Sequence, residues 1–407
     1  MSRTRWMTLL ALLLALALAL AVAACAEDEV DEEPEEEPED DTEEVDEPED
    51  DEDDDVAEEP EDDAVDPEDV VDEEIGVSLD DLCEQNSDVE APEGFRIGLI
   101  TDIGSIDDGT FNTLAFRGVS AIEDCFDVEL DLIETQSEAE LEQNIDAMLE
   151  NDPDVVVTNG FLIEDATAAA AEANPDVDWI GVDQFQEEFP ENYVGIQARE
   201  DQGGYLAGTA AGLLTESNVI GIIGGPESVP PIPRFANAYQ VAAERANPDV
   251  TTQIVYHDSF TDPAAGASTA TAMIGEGADV IMGAGGATGS GGIREAADQG
   301  AWVIGVDVDE YFTTFGDGET PGADRLVTSA LKRIDVGIFE LAVEAIEGTF
   351  DGRLYTLTVG NGGIAYSPTH DADIPDEVLD ALDVALADLA DDDYDTGVDP
   401  ITGELLE

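Results

Sequence analysis

Basic residues are nearly absent from this chain. It has 12 Lys and Arg against 102 Asp and Glu in 407 residues, and a formal net charge of −90 at pH 7. Nucleic acids and anionic lipid surfaces are bound mainly through clusters of Lys and Arg. The composition therefore argues against both as partners.

Metal-site and catalytic patterns are also lacking. The two histidines, His257 and His370, and the three cysteines do not have the spacing of a metal site. Neither histidine lies in a triad-like context, and there is no convincing nucleophile elbow. The pair Asp107-Asp108 is too little for the metal-binding cluster of a hydrolase. We therefore expect no enzymatic activity, no metal and no cofactor.

The amino-terminal residues have the pattern of an export signal. Arg3 and Arg5 precede an apolar run from Trp6 to Ala24, which is followed by Cys25. A short basic segment, an apolar segment and small residues before a cleavage site are typical of a secretory signal peptide. The sequence VAAC that ends at Cys25 resembles the lipobox of bacterial lipoproteins. We predict a signal peptide over residues 1–24 and lipidation of Cys25; an ordinary signal peptide or a single anchoring helix is the alternative.

A strongly acidic segment follows. Of the 49 residues from 27 to 75, 34 are Asp or Glu and none is Lys or Arg. Like charges extend such a chain, and it has no apolar face to bury. This predicts a disordered acidic tether over residues 25–90, with an acidic interaction segment as the alternative.

Cys83 and Cys125 are the two remaining cysteines. In an exported protein an isolated pair of cysteines can form a disulfide. One precedes the first predicted strand and the other ends the first predicted helix, so closure is plausible. Two unpaired thiols are the alternative.

Residues from about 92 to 389 alternate short β-branched runs with longer Ala-rich stretches. This pattern predicts βαβ units with mostly parallel sheets, and a segment of this length is too long for one core. Strand sequences recur along the chain: IGLI at residue 97 returns as IGII at 220, and DVVV at 154 returns as DVIM at 279. WIGVD at 179 returns as WVIGVD at 302. Because the offsets are nearly constant, at 123 to 125 residues, we predict two similar α/β lobes in tandem with a boundary near Thr215.

Two such lobes would share a cleft. Open α/β sheets bind ligands beyond the carboxyl ends of their strands. The sequence FRIGLITDIGSIDDGTFN at residues 95–112 reads as a strand, a loop and a helix start. The only lysine, Lys332, lies at a predicted helix start, which suggests a positional requirement; a surface lysine is the alternative. The candidate ligand-binding residues are Asp102, Phe111, Asn112, Asp183, Phe260, Gly285, Asp307 and Lys332.

The order of motifs resembles one known family. The motifs are similar to those of the basic membrane protein family, which includes a purine nucleoside receptor lipoprotein; they read TDIGSIDDGTFN, WIGVDQ, YLAGTAAGLL, IGIIGGPESVPPIPRF, DVIMGAGGATGSGG, VIGVDVDEY and TSALKRIDVGIFELA. Members of that family are substrate-binding lipoproteins of ABC transporters. The resemblance implies an α/β, type I periplasmic-binding-protein fold, with two doubly wound parallel-sheet lobes around a ligand cleft with a hinge.

The resemblance also implies how a purine base would be held. Phe111 and Phe260, one from each lobe, would stack on its two faces. Asp102 or Asn112 would form hydrogen bonds with the base edge, and Asp183 would lie nearby.

The ribose would be held by other residues. The resemblance assigns its hydroxyls to Asp307 and Lys332, with backbone contacts around Gly285. Arg234 and Phe235 start a second-lobe helix beside the cleft and are weaker candidates.

The resemblance further implies where the chain crosses between the lobes. It predicts a first lobe of residues 91–215 plus 325–353 and a second lobe of residues 216–324 plus 354–390. An acidic, frayed tail is expected over residues 391–407.

We therefore expect a lipid-anchored monomer on the extracytoplasmic side of the cell membrane. It would bind a nucleoside, with a purine favoured, and deliver it to ABC permease subunits. One alternative is a pentose-binding protein of the same fold. Another is a surface lipoprotein that senses a ligand and imports nothing.

The acidic composition predicts a stability that depends on salt. Outside the tether the chain still has 68 acidic residues against ten Lys and Arg beyond the signal, which indicates a high-salt habitat. Dissolved ions screen the repulsion between exposed carboxylates. The melting temperature followed by circular dichroism should rise by several degrees between 0.1 and 2 M KCl. Sucrose at equal osmolality is the uncharged control, and a melting temperature that does not respond to salt would refute the expectation.

Overall fold

The computed structural model describes residues 77–391 and 394–406. The predicted signal peptide, the lipidation site Cys25 and the predicted tether up to residue 76 lie outside the described residues. Within the described ranges, no helix combines the length and the apolar character that a membrane crossing requires.

The strands of the described chain form two six-stranded sheets. In chain order they are β1 (Arg96–Ile103), β2 (Glu129–Thr135), β3 (Val155–Asn159), β4 (Asp178–Val182), β5 (Tyr193–Ala198), β6 (Val219–Gly224), β7 (Thr251–Tyr256), β8 (Val280–Ala284), β9 (Trp302–Asp307), β10 (Leu326–Lys332), β11 (Arg353–Leu357) and β12 (Ile364–Tyr366). The first sheet has the order β11-β5-β4-β3-β1-β2, and all its pairings are parallel. The second has the order β12-β10-β9-β8-β6-β7, with only β12 antiparallel to its neighbour.

Helices cover both faces of each sheet. They are α1 (Leu79–Gln85), α2 (Phe111–Phe126), α3 (Leu141–Leu149), α4 (Glu164–Ala173), α5 (Glu200–Leu214), α6 (Pro231–Ala246), α7 (Pro263–Gly275), α8 (Gly286–Asp298), α9 (Ile334–Glu347) and α10 (Asp376–Leu389). On the first sheet, α2 and α9 cover one face and α3 and α4 the other. On the second, α5, α6 and α10 cover one face and α7 and α8 the other.

This double covering explains the apolar strands. A parallel sheet that is buried on both faces needs apolar residues at every position rather than at alternate ones. Strand β3 is buried at all five positions, and β5 at all six. The prediction of two doubly wound α/β lobes is confirmed.

The chain crosses between the lobes three times. Strand β5 lies in the first sheet and α5 packs in the second lobe, so the first crossing is at Arg199. Strand β10 lies in the second sheet and α9 packs in the first lobe, so the second crossing is at Arg333. Strand β11 returns to the first sheet and β12 to the second, so the third crossing follows Leu357.

These crossings correct the predicted lobe borders. The segments at residues 199–215, 325–332 and 354–357 belong to the lobe opposite to the one expected. The physical reason is that the alternation of strands and helices identifies each element but not the sheet that it joins. For residues 199–215, the close packing of α5 on α6 shows that the segment belongs to the second lobe.

Three glycines bring α5 onto α6. A methyl group at Gly204, Gly208 or Gly212 would lie 2.4, 2.2 or 2.8 Å from a backbone carbonyl oxygen of α6. Residues four apart lie on one face of a helix. The three glycines therefore form a flat face on which the α6 backbone rests directly.

The start of the described chain is ordered where the sequence predicted a tether up to residue 90. Helix α1 buries Leu82 in the core of the first lobe. The structure also joins Cys83 of α1 to Cys125 of α2 by a disulfide, with the two Cα atoms 5.8 Å apart. The expectation of disorder is thus wrong for α1, because the apolar side chains of Leu79 and Leu82 and a disulfide bond hold it on the lobe.

The end of the chain is ordered as well. Residues 394–406, which we call the C-terminal hairpin, pair through an antiparallel bridge between Val398 and Leu405. Thr396 and Val398 are each 2% exposed. The predicted frayed tail is therefore wrong for this segment, because these two side chains pack onto the second lobe despite the acidic composition around them.

The glycine face of α5 gives a stability prediction. Gly208→Ala gains helix propensity but forces the α6 backbone away, so the free energy of unfolding should fall by about 1–3 kcal/mol. The matched control is Gly275→Ala at the end of α7, where a methyl group would meet no atom of the described residues within 4 Å. Urea unfolding in molar salt measures both variants. Equal stabilisation of the two would contradict the close packing.

Candidate functional site

Both lobes direct the carboxyl ends of their parallel strands at one cleft. The cleft encloses about 700 Å³ of space, part of it open to solvent. All the residues predicted to bind the ligand line it, namely Asp102, Phe111, Asn112, Asp183, Phe260, Gly285, Asp307 and Lys332.

Asp102 and Asn112 form one end of the cleft. The Asp102 carboxylate accepts the Ile103 N–H at 2.7 Å and lies against Gly160, where a methyl group would be 2.1 Å from Oδ2. The φ angle of Gly160 is +102°, so glycine is needed on both grounds. Asn112 Oδ1 accepts the Asp102 N–H at 3.0 Å and Asn159 Nδ2 at 2.9 Å. The Nδ2 group of Asn112 is therefore the part of this amide left for a ligand.

Asp108 fixes the start of α2. Its carboxylate accepts the backbone N–H groups of Thr110, Asn112 and Thr113 at 2.9, 3.0 and 3.1 Å. The first N–H groups of a helix have no acceptor within the helix, and the Asp108 carboxylate is the acceptor for three of them. It thereby fixes the helix start that carries Phe111 and Asn112 to the cleft.

Lys332 joins the two lobes. Its Nζ lies 2.6 Å from Asp183 Oδ1 and 2.8 Å from Glu200 Oε1, and all three side chains are at least nine-tenths buried. Asp183 follows β4 of the first sheet, and Lys332 ends β10 of the second. The predicted helix start at Lys332 is wrong, because the residue completes a strand and α9 begins at Ile334.

The ion-pair chain continues away from the cleft. Glu200 Oε2 lies 2.9 Å from Arg234 Nε, and Arg234 Nη1 donates to the carbonyl oxygen of Pro400 at 2.9 Å. The sequence does not single out Glu200, because an acidic residue in the first turn of a helix is common and carboxylates abound in this chain. Arg234, which we expected beside the cleft, is not among the residues that line it; Glu200 lies between Arg234 and Lys332.

Asp307 occupies the position in the second lobe that Asp183 has in the first. Both residues follow the recurring Gly-Val of their strands and have positive φ, 58° for Asp183 and 68° for Asp307. Asp307 pairs in register with Leu331, which puts it beside Lys332. It is 8% exposed, and among the described residues no donor forms a hydrogen bond with its carboxylate.

Burial and crowding change the proton affinities of the cleft carboxylates. Burial raises the pKa of Asp102 to about 7, and the nearby Asp183 adds to the effect. Burial also raises the pKa of Asp307 to about 7, although Lys332 opposes it. For Lys332 itself burial lowers the pKa, but Asp183, Glu200 and Asp307 more than offset this, and the pKa ends above its ordinary value. The ammonium therefore stays charged, whereas Asp102 and Asp307 titrate near neutral pH.

One phenylalanine from each lobe faces the cleft. Phe111 begins α2, and Lys332 Nζ lies 5.0 Å from its ring centroid. Phe260 follows β7, and a methyl group at Gly225 would lie 2.3 Å from its Cε1. Aromatic surface and the buried charge cluster are thus adjacent.

Other side chains of the cleft were not singled out from the sequence. Phe161 comes directly after Gly160 at the end of β3, and Val229 and Ile232 lie before and in α6. Phe235, the weaker candidate, also lines the cavity. The position of Phe161 beyond a strand end was the one available signal, since apolar residues at a helix start are indistinguishable from core residues.

Loops of the two lobes approach each other closely beside the cleft. A methyl group at Gly109, in the loop after β1, would lie 3.4 Å from Thr313 Cβ in the second lobe. One at Gly104 would lie 3.7 Å from Thr261 Cγ2. The lobes are therefore in a closed arrangement around the cavity.

Comparison with known proteins decides the family. The family model described as "ABC transporter substrate-binding protein PnrA-like" matches residues 96–382. The chain belongs to this family.

Relatives of this PnrA-like chain agree with the assignment. The CD4+ T-cell-stimulating antigen of Listeria innocua is 29% identical over 292 residues, which are 68% of this chain and 80% of the relative. The ABC transporter nucleoside-binding protein BmpA of Lactococcus lactis subsp. cremoris is 29% identical over 315 residues, 73% of this chain and 87% of the relative.

A solved structure shows the same fold. The ABC transporter solute-binding protein of Aeropyrum pernix has a TM-score of 0.61 and 24% identity, and the match covers 74% of this chain and 88% of that one. PnrA-like proteins are extracytoplasmic substrate-binding proteins of ABC transporters, and such proteins bind a small ligand and act with permeases.

The raised pKa of Asp307 gives a prediction about stability and pH. Since the folded-state pKa of about 7 exceeds the ordinary 3.8, the folded protein loses stability as the pH rises from about 4 to 7. Asp307→Asn removes this loss. The ligand-free variant should unfold with about 2–4 kcal/mol more free energy at pH 8, and the difference should vanish near pH 4.

Chemical unfolding in molar salt at a series of pH values measures this difference. Asp176→Asn is the matched control, because it makes the same change at an exposed position. A difference for Asp307→Asn that stays constant from pH 4 to 8 would contradict the assigned pKa.

Proposed function

We propose that this protein binds a nucleoside, with a purine base favoured, and delivers it to an ABC permease. The observation that carries the proposal is one closed cleft with an aromatic ring from each lobe beside Asp307, a buried carboxylate without a donor among the described residues. A nucleoside has a flat base for the rings and a pair of vicinal hydroxyls for the carboxylate.

The base would occupy the aromatic part of the cleft. Stacking on an aromatic side chain contributes about 1–3 kcal/mol per base, and Phe111 and Phe260 offer one ring on each side. Asn112 Nδ2 can donate to an acceptor on the base edge. Asp102 can accept an N–H group, or donate a proton when it is protonated, because its pKa is about 7.

The ribose would lie at the charge cluster. The Asp307 carboxylate can accept one O–H from each of two vicinal hydroxyls, and the Lys332 ammonium can donate to a hydroxyl oxygen. Hydrogen bonds to charged groups are about twice as strong as neutral ones. They would also remove the free-energy cost of a buried carboxylate that has no donor.

The charges of the cleft favour a nucleoside over a nucleotide. Asp102, Asp183 and Asp307 line the cavity, and the one lysine is already paired with Asp183 and Glu200. A phosphate group would add negative charge to a site without a free cation among the described residues, and like charges repel strongly where water is excluded.

The family and the closed arrangement support delivery to a permease. Two lobes joined by three crossing segments can close on a ligand by bending at those segments. The name of the Lactococcus relative, a nucleoside-binding protein, supports the choice of ligand. We further propose that the mature protein is a monomer held to the membrane by a lipid on Cys25.

A pentose-binding protein is the second candidate. The observation that favours it is that Asp307 and Lys332 would hold the hydroxyls of a free sugar equally well. The second aromatic ring, Phe260, has no evident role with a sugar as small as ribose, and it favours the nucleoside.

Titration calorimetry in molar salt tests the ligand class. Adenosine, guanosine and inosine should bind with dissociation constants well below 1 mM, and ribose should bind at least tenfold more weakly. Ribose binding alone would move the protein to the second candidate. Binding of neither class by a protein shown to be folded would refute the proposal.

Phe111→Ala tests the aromatic part of the site. Loss of one stacking face should weaken purine nucleoside binding by about 10–100-fold. The matched control is Phe116→Ala on the same helix, because Phe116 packs against the core of the first lobe. The control should lower the melting temperature and leave the affinity unchanged, and equal affinities of the two variants would refute the role of Phe111.

A further inference from the structure

The C-terminal hairpin has a direct chemical link to the cleft. The hairpin lies beyond residues 96–382, the range that the family model matches. The general properties of the family therefore do not account for it. Two sets of hydrogen bonds and ion pairs connect it to the parts of the chain that hold Lys332.

The first connection runs through Arg234. This side chain is 1% exposed, and its Nη1 donates to the carbonyl oxygen of Pro400 at 2.9 Å. Its Nε lies 2.9 Å from Glu200 Oε2, and Glu200 Oε1 lies 2.8 Å from Lys332 Nζ. Three contacts thus join the hairpin to the ammonium at the cleft.

The second connection holds the first crossing segment. Thr396 Oγ1 donates to Asp201 Oδ2 at 2.7 Å, and the other oxygen of Asp201 lies 2.8 Å from Arg199 Nε. The Arg199 N–H donates in turn to the carbonyl oxygen of Leu357, where the third crossing begins. The hairpin therefore contacts the first crossing segment between the lobes as well as the ion-pair chain.

The hairpin also follows α6 along most of its length. Arg245 near the end of the helix donates to the carbonyl oxygen of Asp395 at 2.8 Å, and Asn237 near its start donates to that of Gly403 at 2.6 Å. A methyl group at Gly403 would lie 2.9 Å from the backbone nitrogen of Arg234. Gly403 therefore lies directly on the backbone of Arg234, the residue that contacts Glu200.

We propose that the C-terminal hairpin positions Glu200, through Arg234, and so sets how the Lys332 ammonium is shared between the protein and the ligand. Arg234 neutralises one oxygen of Glu200. Without it, the uncompensated charge of Glu200 would draw the Lys332 ammonium, 2.8 Å away, toward this carboxylate and away from ligand hydroxyls. Arg234 is then a positioning residue, and this role rests on the proposed function.

A double-mutant cycle tests the proposal. Truncation after Asp391 and Arg234→Met should each weaken adenosine binding by about tenfold, measured calorimetrically on the otherwise full-length mature chain. If the hairpin affects affinity through the contact between Arg234 and Glu200, as proposed, the combination of the two changes should cost no more than either alone. The proposal would be overturned if the combined variant lost affinity by the product of the two single losses, or if truncation left the affinity unchanged.

A second variant keeps the test usable if the truncated chain does not fold. Gly403→Val preserves the length of the hairpin but pushes it off Arg234, so it should weaken binding and should add nothing in the Arg234→Met background. Gly348→Val is the matched control: its φ of +67° is also positive, and a methyl group there would meet no atom of the described residues within 4 Å. Equal affinities of these two variants would overturn the proposal.

Hydrogen exchange without ligand separates this proposal from the proposed function. Loss of the hairpin should speed amide exchange in residues 196–204 at least tenfold and leave β3 unchanged, since only the first segment contacts the hairpin. Unchanged exchange in residues 196–204 would overturn the positioning role. Failure of the unaltered chain to bind any nucleoside would instead overturn the proposed function.

Discussion

The structure depends on one ammonium group among buried carboxylates. Lys332 ends a strand of the second lobe, its partner Asp183 follows a strand of the first, and Glu200 begins the helix after the first crossing. Removing one partner of a buried ion pair costs about 3–5 kcal/mol. Opening the cleft would separate Lys332 from Asp183, because their strands belong to different sheets, and would expose both to water. The charged groups of Lys332, Asp183 and Glu200 therefore take part in lobe closure, in the first crossing between the lobes and in the ligand site.

The other carboxylates of the cleft show why a ligand would favour closure. Asp307 is buried next to Lys332 without a hydrogen-bond donor among the described residues. Its raised pKa reflects the unfavourable free energy of a charged carboxylate in this buried position. A closed, empty site is thus less stable than its packing alone would make it. Groups kept in an unfavourable state at a binding site commonly lower the stability of the free protein. Hydroxyl groups of a ligand would reverse this effect, so ligand binding and lobe closure would favour each other.

The sequence predicts much of this arrangement, because its signals are local. Apolar β-branched runs mark the strands, and residues at or just beyond the carboxyl ends of the strands must lie at the cleft, which is how Asp102, Asp183 and Asp307 could be placed. The sequence cannot show which sheet a strand joins, so β10 and β11 were assigned to the wrong lobes. Nor can it distinguish Glu200 from the many surface carboxylates, since only the distant Arg234 and Lys332 give it a buried role.

The central claim is that Asp307 and Lys332 bind the vicinal hydroxyls of a nucleoside. The most direct test compares the calorimetric affinities of inosine and 2′,3′-dideoxyinosine for the unaltered protein in molar salt. The two ligands present the same base to Phe111 and Phe260, and the change is in the ligand, so the fold is not perturbed. A loss of at least about 100-fold for the dideoxy compound is the predicted result, because both hydrogen bonds to a buried carboxylate are lost. Equal affinities would contradict the account.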